Sequence, residues 1–254
     1  MNVEVSKPTP NTMSAAEKQA RIDLAACYRL VAHYGWDDMI FTHISARIPG
    51  AEHHFLINPF GMLFSEITAS SLIKVDHDAN MIEPSSYFVN PAGFTIHSAV
   101  HMAHPTAGCV LHLHTRAGIA VSAQKEGLQP LSQMALVFHD RVAYHDYEGI
   151  ALDLSERERL VKDLGDKRAL ILRNHGTLTW GATVAEAFQR MYWLERACDA
   201  QIAAQAGGTP LHLPSQQSRE TAAMQGELIW TGAAGLAWPA LLRMLDKKDP
   251  SYRT

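Results

Sequence analysis

Hydrophobic positions along the chain fall into two rhythms. Stripes at a spacing of three to four mark amphipathic helices, and alternating or short continuous apolar runs mark strands. A capping box, Ser14-Ala-Ala-Glu17, opens a helix carrying Ala20, Leu24, Cys27, Val31 and Tyr34, which Gly35 ends. Asn90-Pro91 opens a second, with Phe94, Ile96, Val100 and Met102, stopping before Pro105. A third follows Thr183-Val-Ala-Glu186, with Val184, Phe188, Met191, Leu194, Cys198 and Ile202, and runs to Gly207-Gly208. Residues 116–126 read as helical, and Ser155-Glu-Arg-Glu158 caps a short helix to Leu164. Strand patterns occupy 41–47, 55–58, 62–64, 72–75, 109–114, 134–138, 142–144, 168–173 and 177–180. Met81-Ile82 returns from a hairpin at 76–80. These elements predict one layered α/β domain over residues 14–208, with a largely antiparallel sheet. A flexible N-terminal arm (1–13) precedes it, and a Pro/Ser/Gln linker (209–218) follows. The tail, 209–254, is helical in pattern and carries Trp230 and Trp238, so it is expected to dock on its own body or at a subunit interface.

One strand pattern carries chemistry. In Cys109-Val-Leu-His-Leu-His114, Cys109, Leu111 and Leu113 face one way and His112 and His114 the other. Two imidazoles on one strand face, with Cα atoms about 6–7 Å apart, can grip one ion. A third, His175, sits in the Asn174-His175-Gly176 turn after the strand at 168–173. Three protein ligands leave a coordination position open, the pattern of a catalytic metal site. His112, His114 and His175 are therefore the expected ligands of a divalent ion, zinc first, with manganese or iron as alternatives.

Composition narrows the partners. The net charge of −4 provides no basic field for nucleic acid or an anionic membrane. No run approaches the ~18 apolar residues of a membrane span. The three cysteines, Cys27, Cys109 and Cys198, lie in apolar runs and read as buried reduced thiols of a cytoplasmic protein. Fourteen histidines are the one compositional sign of metal chemistry.

Five segments together resemble the class II aldolase/adducin family, from about Ser14 to Gly208. They are Ile57-Asn-Pro-Phe-Gly-Met-Leu-Phe-Ser-Glu-Ile-Thr-Ala-Ser-Ser-Leu72, Asn90-Pro-Ala-Gly-Phe-Thr-Ile-His97, His112-Leu-His114, Ala143-Tyr-His-Asp-Tyr147 and Leu172-Arg-Asn-His-Gly176. The first, second and fourth look closest to its adducin-like branch. The resemblance implies a three-layer α/β/α sandwich with a central mixed sheet, and a homotetramer with active sites at subunit interfaces. It also implies a divalent ion on the positions matching His112, His114 and His175. The chain departs from the family's aldolases where those carry Ser-Ser-Glu, the Glu being an acid/base: here stands Pro91-Ala92-Gly93. Glycine can neither move a proton nor ligate through a side chain. Phe41-Thr-His-Ile-Ser45 likewise replaces the family's phosphate loop, and Pro59-Phe60-Gly61 its Pro-Thr-Gly turn. Phosphate needs clustered donors or cations, so a non-phosphorylated substrate is expected.

Three functions stay open on this reading. The first is a metal-dependent lyase acting on a carbonyl or carboxylate compound, by carbon–carbon cleavage or by decarboxylation through a metal-stabilised enolate. The second is a non-heme iron oxygenase on the same histidines, and the third a non-catalytic, adducin-like assembly module. His97 and Tyr147 are the expected proton-moving residues, with Glu148 an alternative to Tyr147. His97 and His101 share a helix face, where they are structural or line the pocket. His43 is placed to face it. Arg173 reads as a structural ion-pair partner, and Asn58 and Glu66 as turn-fixing residues.

Overall fold

The computed structural model describes residues 13–50, 53–150 and 153–254; of the predicted arm, 1–12 lie outside them. Seven strands form one sheet in the order β3-β2-β1-β4-β7-β6-β5. They are β1 (His43–Arg47), β2 (Phe55–Ile57), β3 (Ile73–Val75), β4 (Cys109–Leu113), β5 (Val142–His145), β6 (Ala169–Leu172) and β7 (Gly176–Gly181). Every pairing is antiparallel except β5 with β6. The parallel pair needs a crossover, supplied by α5 (Glu156–Leu164).

Helices cover both faces. Along β4, Cys109, Leu111 and Leu113 pack with Leu24, Cys27 and Val31 of α1 (Ala15–His33) and Phe188 and Met191 of α6 (Val184–Gln205). On the other face Val110 packs with Ile96 and Val100 of α2 (Pro91–Ala103) and with Leu160 and Leu164 of α5. The alternation of β4 thus divides two cores, and the molecule is a three-layer sandwich with a mixed, largely antiparallel sheet. All three cysteines are buried and unpaired. No single helix among the described residues is long and apolar enough to cross a membrane.

Two predicted strands are helical instead. Residues 62–64 lead into a single 3₁₀ turn, Phe64–Glu66, because the Glu66 carboxylate accepts from the Leu63 amide and closes it. Residues 134–136 fall instead in α4 (Gln133–Leu136), started by the Ser132 hydroxyl accepting from the Ala135 amide. The helix predicted over 116–126 is α3 (Arg116–Ser122). Ser155 makes no capping bond with its side chain; its hydroxyl donates to Asp153 instead. The hairpin return at 81–82 is reduced to one isolated bridge, Val75 to Met81. Met102 is exposed, and the Phe94 side chain lies outside the described residues.

The tail forms α7 (Gln216–Lys248). Trp230 packs against Phe138 and Trp193, and Trp238 packs on Phe188 while its indole donates to Asp23.

Candidate metal centre

The central strands bring the three histidines together. His112 points to the α2 face from β4, and His114 stands just beyond that strand's end. His175 is reached through the β6–β7 turn, where Asn174 adopts a left-handed φ of 56° and its amide donates to the Ser122 carbonyl. The turn also needs Gly176, since a Cβ there would run into the Leu113 carbonyl oxygen and hold β7 away from β4. The result places one potential ligand atom from each histidine within 4.8 Å of the others.

Hydrogen bonds settle which nitrogens are available. The Nδ1–H of His112 donates to the Thr177 carbonyl at 3.0 Å, which only a protonated Nδ1 can do. The Nδ1–H of His114 donates to the Asp38 carboxylate, also at 3.0 Å. With both rings neutral, both Nε2 atoms are bare, and they face each other at 3.1 Å. Two lone pairs at that separation repel unless a cation lies between them. Tetrahedral zinc, with Zn–N of about 2.0–2.1 Å, sets its nitrogens about 3.3 Å apart. The donor set fits a divalent first-row ion. Asp38 and the Thr177 carbonyl are the outer partners that hold such ligands in one tautomer. Burial holds His112 well below the ordinary imidazole range, helped by His175, His43 and His114. It lowers His175 to about 4, with His114 and His145 adding to the effect. Both are neutral and ready to ligate near pH 7.

The histidines form the floor of a cavity of about 350 Å3. Its walls include Phe41, Phe60, Ile96, Tyr147 and Ile150, and the described lining residues include no lysine or arginine. A larger groove, about 550 Å3, lies where β5 and β6 begin, is lined by charges of both signs, and contains none of the three histidines.

A family model described as the class II aldolase and adducin N-terminal domain matches residues 22–202. The chain belongs to the class II aldolase and adducin family. A Caulobacter vibrioides protein grouped by name with the class 2 aldolases is 58% identical over 241 residues, 94% of each chain. Mouse alpha-adducin is 50% identical over 197 residues, 76% of this chain, which spans only 27% of that relative's length. A solved aldolase II superfamily protein from Pseudomonas syringae superposes with a TM-score of 0.93 at 52% identity, covering 96% of this chain and 98% of that one. An L-fuculose 1-phosphate aldolase from Glaciozyma antarctica gives a TM-score of 0.82 at 28% identity, covering 98% and 97%.

Within this class II aldolase fold, the other expected site residues separate. Tyr147 lines the cavity, half exposed, with its ring 6.2 Å from that of His175. Glu148 is engaged by Arg159, at 2.6 Å. His97 is fully buried and does not line the cavity: His43 does, and His97 stands behind it, Nε2 to Nδ1 at 2.8 Å. His101 lies deeper, bonded to Ser45 and to the Ala107 carbonyl. Tyr144 and His145 lie on β5 rather than in a loop: the Tyr144 hydroxyl accepts from the Leu128 amide, and His145 lies against Asp163 at 2.7 Å. Arg173 donates to the Gln124 carbonyl and stacks over Tyr144 at 4.2 Å, and pairs with no carboxylate among the described residues. Glu66 fixes local backbone by accepting from the Leu63 amide, whereas the Asn58 side chain accepts from the Tyr28 hydroxyl of α1. Asp38, Thr42 and Ser45 escape a reading of the sequence. The period-two alternation of His43 and Ser45, matching that of His112, was the available signal for Ser45.

Proposed function

We propose that the chain is a metal-dependent carbon–carbon lyase acting on a small, non-phosphorylated carbonyl or carboxylate compound. The observation that carries this reading is the pair of bare Nε2 atoms facing each other at 3.1 Å beside His175. His112, His114 and His175 would hold the ion. A bound divalent ion supplies Lewis-acid polarisation of a substrate oxygen. Asp38 and the Thr177 carbonyl keep His114 and His112 aimed. Phe41, Phe60, Ile96 and Ile150 give the cavity walls that fit an apolar substituent. A phosphate would find no lysine or arginine among the described lining residues. Tyr147, at the wall beside His175, is the group placed to hand a proton to the product. His97 positions His43 from behind. The ion of choice is zinc, with manganese or iron also suited to three imidazoles. The working form is a homotetramer in the cytoplasm, with α7 at the subunit interface: Leu228 and Leu236 on that helix are about four-fifths exposed in one chain.

Elemental analysis of protein purified without added metal or chelator tests the reading. Near-stoichiometric zinc or manganese, lost in His114→Ala, is the expected result. Iron with oxygen-dependent turnover would move the reading to an oxygenase. The identity with alpha-adducin favours a second reading, a non-catalytic assembly module. No metal in either protein, even after soaking with Zn²⁺, Mn²⁺ and Fe²⁺, would move the reading to that one.

A further inference from the structure

A chain of hydrogen bonds runs from the cavity into the layer between the sheet and α2. His43 Nδ1 lies 2.8 Å from His97 Nε2, His97 Nδ1 lies 2.6 Å from Ser45 Oγ, and Ser45 Oγ lies 2.7 Å from His101 Nε2. His101 Nδ1 ends the chain, 3.1 Å from the Ala107 carbonyl oxygen. All four side chains are at most 3% exposed. Strand alternation puts His43 and Ser45 on the α2 face, and one helical turn separates His97 from His101 opposite them.

The direction of every bond follows from the last one. A carbonyl oxygen only accepts, so His101 carries its proton on Nδ1. Burial keeps His97 and His101 neutral, lowering His101 to about 3 and His97 well below the ordinary range. His101 Nε2 is therefore bare and accepts from the Ser45 hydroxyl. Ser45 Oγ then accepts from His97 Nδ1–H, which leaves His97 Nε2 bare. His97 Nε2 accepts from His43 Nδ1–H. The remaining nitrogen, His43 Nε2, is a bare acceptor on a ring that lines the cavity, and it has no hydrogen-bond partner among the described residues.

Next to it, Thr42 lines the same cavity and is 2% exposed. Its Oγ1 is buried without a hydrogen-bond partner. Its φ of 65° is an outlier for a β-branched residue, the kind of local strain that surrounding structure must maintain. One unmet hydroxyl, on Thr42, thus lies next in sequence to one fixed acceptor, on His43.

We infer that Thr42 and His43 form a hydroxyl-binding subsite beside the three histidines, with Thr42 Oγ1 donating to a substrate hydroxyl oxygen and His43 Nε2 accepting from that hydroxyl. The ligand class is an uncharged hydroxyl-bearing carbonyl compound with an apolar substituent. A carboxylate in the same place would set its lone pairs against that of His43. Ser45, His97 and His101 are positioning residues that act through His43. The subsite deepens the lyase reading and rests on it for the adjoining carbonyl, but the polarity of His43 is independent of any metal.

Two measurements test it. Long-range proton–nitrogen correlation on histidine-labelled, metal-free protein at neutral pH reads the tautomers directly. Nδ1–H with bare Nε2 is expected at His43, His97 and His101, and Ser45→Ala is expected to release His43 into a mixture. His43 found as Nε2–H in the unaltered protein overturns the subsite, whatever metal is retained. Calorimetry on the zinc-loaded protein then compares 2-hydroxyacetophenone with acetophenone, its counterpart lacking the hydroxyl. The hydroxy ketone is expected to bind at least about tenfold tighter, since a site built around a hydroxyl rejects the analogue without one. Thr42→Val should bring the two together at unchanged zinc content. Equal affinities in the unaltered protein, or no binding of the hydroxy ketone, overturn the subsite. If the protein retains neither zinc nor manganese, the lyase reading falls, and the same comparison on metal-free protein still decides the hydroxyl preference.

Discussion

Position 93 and the ring of His43 compete for one volume. A Cβ built on Gly93 would lie 2.6 Å from His43 Cδ2 and 2.8 Å from Cγ. Glycine there is thus the space that lets an imidazole enter from β1, where a glutamate side chain would enter from α2. Gly93→Ala is expected to cost about 1–3 kcal/mol, the usual cost of overpacking a filled interior. The same change in a His43→Ala background should cost far less. Denaturant unfolding of the four proteins in a double-mutant cycle measures the difference. Equal costs in both backgrounds would mean that the ring does not hold that space. The glycine was plain in the sequence as a lost acid, yet its reason was not. It lies in the register of β1 against β4, where His43 pairs with His112.

Strands and helices differed in how openly they declared themselves. The alternation in β4 places three side chains on one core and His112 on the other face, as its period requires. The stripes of α1 and α6 likewise mark their buried faces. Short elements failed where a single polar side chain outweighed the apolar pattern, as Ser132 does at α4 and Glu66 does at the 3₁₀ turn. Partners across elements were invisible for a different reason. Asp38 reaches His114 from 76 residues away, and nothing local marks it as a ligand's support. Asp38→Asn is expected to weaken metal retention by about 10–100-fold with little change in fold. Competition against a chelator, with circular dichroism as the control, checks this. The tail makes its own element-level statement. Trp238→Phe keeps a ring against Phe188 but loses the bond to Asp23, and should cost about 1 kcal/mol in denaturant unfolding.

At the scale of the molecule, one buried acid sets a pH dependence. Glu195 on α6 accepts from the Thr115 hydroxyl, and burial outweighs that bond, raising its carboxyl from 4.5 to about 7. Between those values the folded protein holds a proton that the unfolded chain has released. Stability from this group is therefore full below 4.5 and declines as pH rises through 7. Glu195→Gln should raise the melting temperature at about pH 8 and leave it nearly unchanged at about pH 4. A uniform shift at both would deny the burial effect. The architecture was legible because cores on both sheet faces follow from periodicity. The metal-type cluster was legible because two of its members continue one strand's alternation, at and just past its end, and the third marks a turn. The relay behind it was hidden, because it joins β1 to α2 across more than fifty residues.

That relay begins at the carbonyl oxygen of residue 107, an atom of the main chain. A substitution at 107 changes the side chain and leaves the oxygen where it is. The anchor that orients four side chains is thus beyond the reach of any point mutation at its own position. The cavity's aromatic and aliphatic walls have no such protection, so Phe41, Phe60 and Ile150 can drift toward new substrate shapes while the polarity presented by His43 is inherited unaltered. The fold pairs a wall open to evolutionary trial with an electrostatic setting written in backbone.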